Sequence, residues 1–412
     1  MQKISAYKIR LNPTSDQIQT LIGWQGQLRF IWNKLLEINI NKYDTEKKFE
    51  FRYDMKKRLP ALKKEFEWLN APAHAFQNCV FDLDRAIVDC FKRGKGFPHY
   101  KNKHTANPSI EISQTNTKHI KWWSDKIQIP IIGKIKWTYH RKIKGRLLSA
   151  TIKRDGDQWY VCMLTEQAVV DQQTQFQEDD CIGIDLGLKD FAITSDGEVF
   201  ETPKFYRKKQ KKLKRAQQKL SRKEKASRNR EKQRKKVAKI HQKIRFQRSN
   251  FHHQLSSAIT KRYPVVFVEN LNIKGMIKNR KLAKSIADQG WAQFITYLKY
   301  KQQWAGNLLH QIDRWAPSTK ACHRCGSKKT ITLDERTYVC SHCELVMDRD
   351  ANAAINILQF GIRETNTAGT AEIYACGAIS DGDPALVGSS YVAQKQESIL
   401  SSEGSCCSLE QQ

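Results

Sequence analysis

Nowhere does the sequence contain an apolar run of about 18 residues, the length a membrane-spanning helix needs. The opening stretch Met1-Gln2-Lys3-Ile4-Ser5 lacks the apolar core of a signal peptide. Negative charge is scarce as well. Asp and Glu total 42 against 72 Lys and Arg, a formal net charge of +30 over 412 residues. That imbalance argues against a metabolic enzyme for small neutral substrates, because self-repulsion on this scale is costly unless a polyanion neutralises it. Nucleic acid is the first such partner and an anionic membrane surface a weak second. Hydrophobic residues make up 40%, lean but enough for real cores. At roughly 150 residues per domain the length suggests two to four domains.

A disulfide framework is missing too. Of the 11 cysteines, Cys79, Cys90, Cys162, Cys181, Cys376, Cys406 and Cys407 are scattered. The other four sit in two tight pairs, Cys322/Cys325 and Cys340/Cys343. This is the pattern of a reduced, cytoplasmic protein with one metal site.

Ala6 to Leu11 alternates as a strand does, and Asn12-Pro13 ends it. Thr14 with Gln17 then makes a capping box, and Ile18, Leu21, Ile22, Leu28, Ile31, Trp32, Leu35 and Leu36 follow at helical spacing. Helical patterning continues to Phe91 with a break at Asn70-Ala71-Pro72. Beyond a basic, glycine-containing loop the period changes to two. Ile110/Ile112, Ile127/Ile129, Ile135/Trp137, Ala150/Ile152 and Tyr160/Cys162 alternate with polar residues, and Asp155-Gly156 is a hairpin turn. The pattern predicts a small β-barrel closed by the first strand and interrupted by a helical insert. A polar, acidic linker from Asp171 to Asp180 precedes a second lobe. That lobe opens with the strand Cys181 to Asp185 and a hairpin across Ser195-Asp196-Gly197. Val265 to Glu269 is a further apolar strand, and Ala283 to Gln303 reads as helix. An Ala-rich helix runs from Ala351 to about Phe360, and the low-charge Gly/Ser/Thr/Ala tail reads as disordered.

From 204 to 248 nearly every second residue is Lys or Arg, and the only acids are Glu224 and Glu231. A thin apolar stripe predicts two long helices joined near Ser221 to Ser227. The usual explanation of a charge run is a solvated helix face. Density and single sign here favour phosphate-backbone contact, with Lys208, Lys212, Arg215, Arg222, Arg230 and Arg234 as candidates.

Three acids carry the chemistry: Asp185 between glycines in its strand, Glu269 at a strand end, and Asp350 at a helix start. Each alone has an ordinary explanation, as a turn residue, a surface acid or a helix cap. Jointly, their order and element types suit an RNase H-like nuclease sheet. A carboxylate in an apolar strand is expensive unless paired or metal-bound. Three together would hold two Mg²⁺ ions, with Mn²⁺ equally suited, for phosphodiester cleavage. The two Cys-x-x-Cys knuckles are the most specific local signal. Four thiolates make a closed tetrahedral site for one structural Zn²⁺, although the loop between them falls just below the usual ~15–20 residues.

These residues together resemble the TnpB proteins of insertion sequences, compact RNA-guided nucleases related to type V CRISPR effectors. The resemblance rests on Arg10-Leu11-Asn12-Pro13-Thr14, Arg29-Phe30-Ile31-Trp32-Asn33, Gly183-Ile184-Asp185-Leu186-Gly187-Leu188-Lys189-Asp190-Phe191, Val268-Glu269-Asn270-Leu271, the double knuckle, Asp348-Arg349-Asp350 and Asn352-Ala353-Ala354-Ile355-Asn356-Ile357. It implies a multi-domain α/β protein: a wedge-type β-barrel with a helical insert, then an RNase H-like (RuvC) nuclease domain with an inserted zinc ribbon. The wedge would occupy 1–12 and 92–170, the recognition insert 13–91, and the RuvC-like domain 181–316. The target-binding ribbon would span 317–347, the last RuvC helix 348–361, and the tail 362–412.

The family's catalytic acids fall on Asp185, Glu269 and Asp350. Asp350 is chosen over Asp348 because it stands just before x-Asn-Ala-Ala. The resemblance also implies a guide RNA from the element's own end, target double-stranded DNA beside a short motif, no small-molecule cofactor, and a bacterial or archaeal cytoplasmic location, on the nucleoid when bound. Gln77 matches a position near the adjacent-motif DNA, and Arg336 an arginine at the scissile phosphate. One departure stands out: Glu344 follows the fourth cysteine where the family often has Gly. A nuclease-silent RNA-guided repressor, an accessory transposition protein or DDE-type transposase, and a structural RNA-binding protein are the competing readings. A lost catalytic acid would mark the repressor, and all three acids remain.

Overall fold

Residues Gln2–Asn12 form β1, whose buried side (Ser5, Tyr7, Ile9, Leu11) alternates with exposed Ala6, Lys8 and Arg10. The computed structural model describes residues 2–103, 108–112, 119–168, 177–332 and 335–367. Helix α1 (Ser15–Glu46) starts at the expected capping box: the Thr14 hydroxyl accepts from the Gln17 N–H, and the Gln17 side chain accepts from the Thr14 N–H. Helices α2 (Arg52–Glu65) and α3 (Ala73–Arg93) complete the insert. Then come β2 (Ile110–Ile112), β3 (Lys121–Trp122), β4 (Lys126–Ile129), β5 (Gly133–Thr138), β6 (Arg146–Asp155) and β7 (Gln158–Ala168).

The seven strands form one antiparallel sheet in the order β2-β6-β7-β1-β5-β4-β3. Among the described residues this sheet is open, with β2 and β3 at its edges, where the alternation had suggested a closed barrel. Period-two patterning reports that one face of a strand is buried; it carries no information on which strands pair. The first strand lies in the middle, pairing with β7 on one side and β5 on the other.

The second lobe begins at Cys181–Asp185 (β8), Asp190–Thr194 (β9) and Val199–Glu201 (β10), followed by the basic helices α4 (Phe205–Ser221) and α5 (Arg228–Arg262). It continues through β11 (Val265–Glu269), α6 (Ile273–Met276), α7 (Ala283–Gln289), α8 (Trp291–Ala305), β12 (Leu308–Ile312), β13 (Thr337–Val339), β14 (Val346–Asp348) and α9 (Arg349–Thr367). The five-stranded sheet has the order β10-β9-β8-β11-β12, antiparallel among the first three and parallel from β8 to β12. Leu255, Ile259, Trp291, Phe294 and Leu298 of α5 and α8 cover one face, and Ile357 of α9 packs with Val265 and Phe267 on the other.

Four expectations shift. The helix predicted over Ala283 to Gln303 is split at Gly290, whose φ of 67° only glycine adopts cheaply. Strand β12 was not expected; its His310 and Gln311 hide the period. Helix α9 runs on to Thr367, six residues past 361 into the segment assigned to the tail; the rest of that tail, 368–412, lies outside the described residues, as does most of the acidic linker.

The fourth is a slip of one residue in β7. Trp159, Val161 and Met163 enter the first lobe's core cluster, while Tyr160, buried as well, and half-buried Cys162 take the opposite face, and such a slip exchanges the two faces. Tyr160 lies instead against Phe246 of α5, ring centroids 6.4 Å apart. The same helix reaches the β6–β7 turn: Arg245 pairs with Asp155, and Lys239 with Asp157 at 2.9 Å. Helix α5 thus braces one lobe against the other.

Helix α9 crosses the second sheet almost in contact with its backbone. A Cβ on Gly183 would lie 2.2 Å from the Ala354 carbonyl oxygen, and one on Gly361 would lie 2.1 Å from the Phe267 ring. Farther along, Glu364 accepts from His310 Nε2 at 2.8 Å and from the Asp313 N–H at 3.0 Å. Gly183, Phe267 and His310 occupy one register row of β8, β11 and β12. The helix therefore traverses the strands, with its N-terminus near the end of β8.

Candidate active site and metal centre

Ile184 lies opposite Val268 in the parallel register, so Asp185 and Glu269 emerge side by side at the carboxyl ends of adjacent strands. Strand spacing is about 4.8 Å, and the carboxyl ends of parallel strands are where such sheets bind ligands. Asp350 arrives in the first turn of α9. The cap of that helix is Asp348, whose Oδ1 accepts from the N–H groups of Asp350 at 2.9 Å and Ala351 at 3.1 Å. Asp350 is thereby left to face the other acids. It is held by Arg349 at 2.8 Å and lies 3.6 Å from Arg336.

Burial lifts the Asp185 carboxyl well above its ordinary range, and the charges of Glu269 and Asp350 push it further; Arg349 and the Leu186 N–H oppose this. Burial also raises Glu269, against a hydrogen bond from the Ser318 hydroxyl. Burial of Asp185 and Glu269 so close together disfavours ionisation of both unless a cation compensates. Hard oxygen donors in that state suit a small divalent ion.

The four cysteines draw together as the spacing predicted: the Sγ atoms of Cys322, Cys325, Cys340 and Cys343 lie within 4.8 Å of one another. Four soft donors fit a tetrahedral zinc with no open position. The Ser327 hydroxyl, 3.1 Å from Cys340 Sγ, leads a set of donors that lower the Cys340 thiol and favour its thiolate form. His323 is not a ligand; its backbone N–H and Nδ1 both meet Asn352 Oδ1 at 3.1 Å.

The knuckles repeat one geometry. The Gly326 N–H donates to the Cys322 carbonyl at 2.8 Å, and the Glu344 N–H to the Cys340 carbonyl at 3.1 Å. Both residues are left-handed, with φ of 74° and 56°. This is why glycine suits the position that Glu344 holds. Glu344→Gly is expected to stabilise the ribbon by roughly 0.5–1 kcal/mol, relief of left-handed strain less the backbone entropy of glycine. Zinc retention against a competing chelator measures it.

Sequence reasoning missed the residues that join ribbon to helix. Asn352 Nδ2 donates to the Ala321 carbonyl at 2.8 Å, and Asn356 Nδ2 to those of Ser318 and Ala321, each at 2.7 Å. Both asparagines are buried. Two asparagines one turn apart were the available signal, since asparagine is a poor helix former unless its side chain is engaged.

The predicted nucleic-acid contacts separate. Lys208 and Arg222 are exposed. Lys212 and Arg215 line a groove of about 520 Å³ between α4 and α5, with Lys209, Lys219, Lys236 and Lys243. Arg230 instead donates to the Leu220 and Lys223 carbonyls at 2.9 Å and clamps the corner between the helices. Arg234 is engaged with Glu231 through two bonds of 2.7 Å. Gln77 is half-buried on α3, and Arg336 reaches Asp350. Among the described residues no helix is long and apolar enough to cross a membrane.

Three family models match: "Probable transposase" (OrfB of IS605) over residues 161–280, "Cas12f1-like, TNB domain" over 291–357, and "Helix-turn-helix domain" over 1–48. The described part of that last span is one strand and one long helix. A Streptomyces pristinaespiralis protein named "Putative RNA-guided DNA endonuclease" is 31% identical over 371 residues, 88% of this chain and 90% of its own. The chain belongs to the TnpB family. Another member, InsQ of Escherichia coli K12, carries the same descriptive name and is 28% identical over 385 residues, 88% of this chain and 93% of its own. Among solved structures, "Cryo-EM structure of the Cas12f1-sgRNA-target DNA complex" aligns with 86% of this TnpB chain and 98% of its own, at 15% identity. Its TM-score of 0.34 is too low to support an argument from shape. The TNB match spans the whole cysteine quartet.

Proposed function

We propose that this TnpB-family protein is an RNA-guided DNA endonuclease, with Asp185, Glu269 and Asp350 as its catalytic acids. The observation that carries the reading is their convergence at the ends of β8 and β11 and the start of α9, with two carboxyls buried and raised. Two divalent ions, Mg²⁺ or Mn²⁺, would be held by these three carboxylates and would supply Lewis-acid stabilisation of charge on the scissile phosphate. Arg336 and Arg349 neutralise Asp350 in the resting site; Arg336, half exposed, is placed to turn to a phosphate.

The five-stranded order and the crossing of α9 favour an RNase H-like, RuvC-type domain. The open sheet and its helical insert would serve as wedge and recognition lobes, with Gln77 near the target-adjacent DNA. The zinc ribbon is structural. Lys208, Lys212, Arg215 and Arg222 would track the backbone of guide RNA and heteroduplex, while base pairing supplies sequence specificity. The guide would come from the element's own end. The "Probable transposase" description keeps a second reading open, an accessory role in transposition; it predicts guide-independent strand transfer.

The test is cleavage of a plasmid library with a fixed target beside randomised flanking bases. The protein is co-expressed with RNA from its element's end, with Asp185→Ala in parallel. Cuts beside one short motif, absent in the variant, are expected. Target binding with no cleavage by either protein would replace the endonuclease with a repressor.

A further inference from the structure

We propose that Trp315, flanked by Arg314, is a stacking platform for an unpaired nucleobase of the DNA strand led to the three acids. The inference rests on the nuclease reading above and adds a binding site to it. Trp315 is 85% exposed, the highest value among the exposed large hydrophobic side chains of the described residues. An indole left in water forgoes the burial that a tryptophan ordinarily gains.

The loop that carries it is not loose. Asp313 Oδ1 accepts from the Trp315 N–H at 2.7 Å, and the Ala316 N–H donates to the Asp313 carbonyl at 3.1 Å. Three residues on, the Ser318 hydroxyl is bonded to Glu269. Arg314 Nη2 reaches Asn270 Oδ1, the residue after Glu269, at 3.5 Å. The loop is thus tethered on one side to Glu269 and on the other to the residue after it, which keeps Trp315 close to the acids.

Beside the ring is an open depression of about 550 Å³ lined by Asn270, Gln311, Asp313, Arg314, Trp315 and Glu364. Its two acids are occupied within the fold: Asp313 by the Trp315 N–H, and Glu364 by His310 and the Asp313 N–H. Exposed Arg314 is the cation at its edge. An aromatic face with an adjacent guanidinium suits a base and its phosphate, and stacking tolerates any sequence because every base has a π-face. A paired base is already stacked within its duplex, so the occupant is unpaired.

The test is binding, in buffer without Mg²⁺ or Mn²⁺ and with the zinc site kept loaded, of single-stranded oligo(dT), an abasic strand of the same length, and oligo(U). Wild type, Trp315→Phe and Trp315→Ala are compared by fluorescence anisotropy. Wild type is expected to prefer oligo(dT) over the abasic strand by about tenfold. Trp315→Ala should erase the preference without weakening abasic binding, and Trp315→Phe should keep most of it. An unchanged preference in Trp315→Ala, or equal weakening on both DNA strands, overturns the proposal. A loss confined to oligo(U) overturns the assignment to DNA. Because nothing is cut in this assay, an intact preference in a protein that fails the plasmid test would sink the nuclease reading and leave the stacking site standing.

Discussion

Asp185→Asn is expected to abolish cleavage, by on the order of a thousandfold or more, and at the same time to stabilise the metal-free protein at neutral pH. The two effects share one cause. Asp185 sits at the end of an apolar strand beside Glu269 and Asp350, and burial followed by those two charges raises its carboxyl. Such a group keeps its proton in the folded state after the unfolded chain, titrating near pH 4, has released it. Stability therefore falls as pH rises from about 4 towards the raised folded value, so a penalty has already built up at neutral pH. Asparagine keeps the shape without the charge. The gain should be about 1–3 kcal/mol, the usual scale for relieving a stranded buried group. It should vanish below about pH 4, where the aspartate is protonated in both states. Urea melts of the zinc-loaded protein at acidic and neutral pH without added Mg²⁺, repeated with saturating Mg²⁺, read this out. Magnesium should raise wild-type stability and leave the variant nearly unmoved. Equal stabilisation of both would place the divalent-ion site elsewhere, and undiminished cleavage by the variant would remove Asp185 from the catalytic set.

What was legible in the sequence was what local chemistry dictates. Thr14 and Gln17 cap a helix because the bonds span three residues. Asp185 and Glu269 stood out because a carboxylate ending an apolar strand must be compensated. Four cysteines in two knuckles leave few alternatives. Asp348 and Asp350 could not be separated by spacing; in the fold Asp348 Oδ1 caps the helix, which supports the proposal of Asp350 as the third acid. The illegible part depended on packing between distant segments. The inward face of β7 was misassigned because α5 covers its outer face, so both faces look apolar. Arg230 is indistinguishable in composition from Arg215, yet one clamps a helix corner and the other lines a groove. Trp315 looks like any core tryptophan until its loop is seen to hold it in water.

Cys340→Ser is expected to disable the acids from a distance. The ribbon's own apolar cluster is small, Tyr338 with Cys322 and Cys340 and a few partners, so its folding must rest on the metal. Structural zinc contributes about 10–16 kcal/mol in small domains, and losing a thiolate ligand forfeits much of that. The consequence reaches the active site along a short chain of hydrogen bonds. Arg349, which holds Asp350, is anchored through its Nη1 to the Glu335 carbonyl at 2.8 Å and through its N–H to the Arg336 carbonyl at 2.8 Å. Ser318, at the ribbon's entry, holds Glu269. Two of the three acids therefore take their orientation from ribbon contacts, and groups in that position commonly contribute 10–100-fold each. Zinc content should fall from one per chain to near zero and cleavage by about a hundredfold or more, while the five-stranded sheet stays folded by circular dichroism. Asn352→Ala separates the two steps: it keeps all four thiolates but removes the bonds to Ala321 and His323. It should retain zinc and still lose about tenfold in cleavage. A zinc-free Cys340→Ser protein that cuts normally would show that the acids hold their positions without the ribbon.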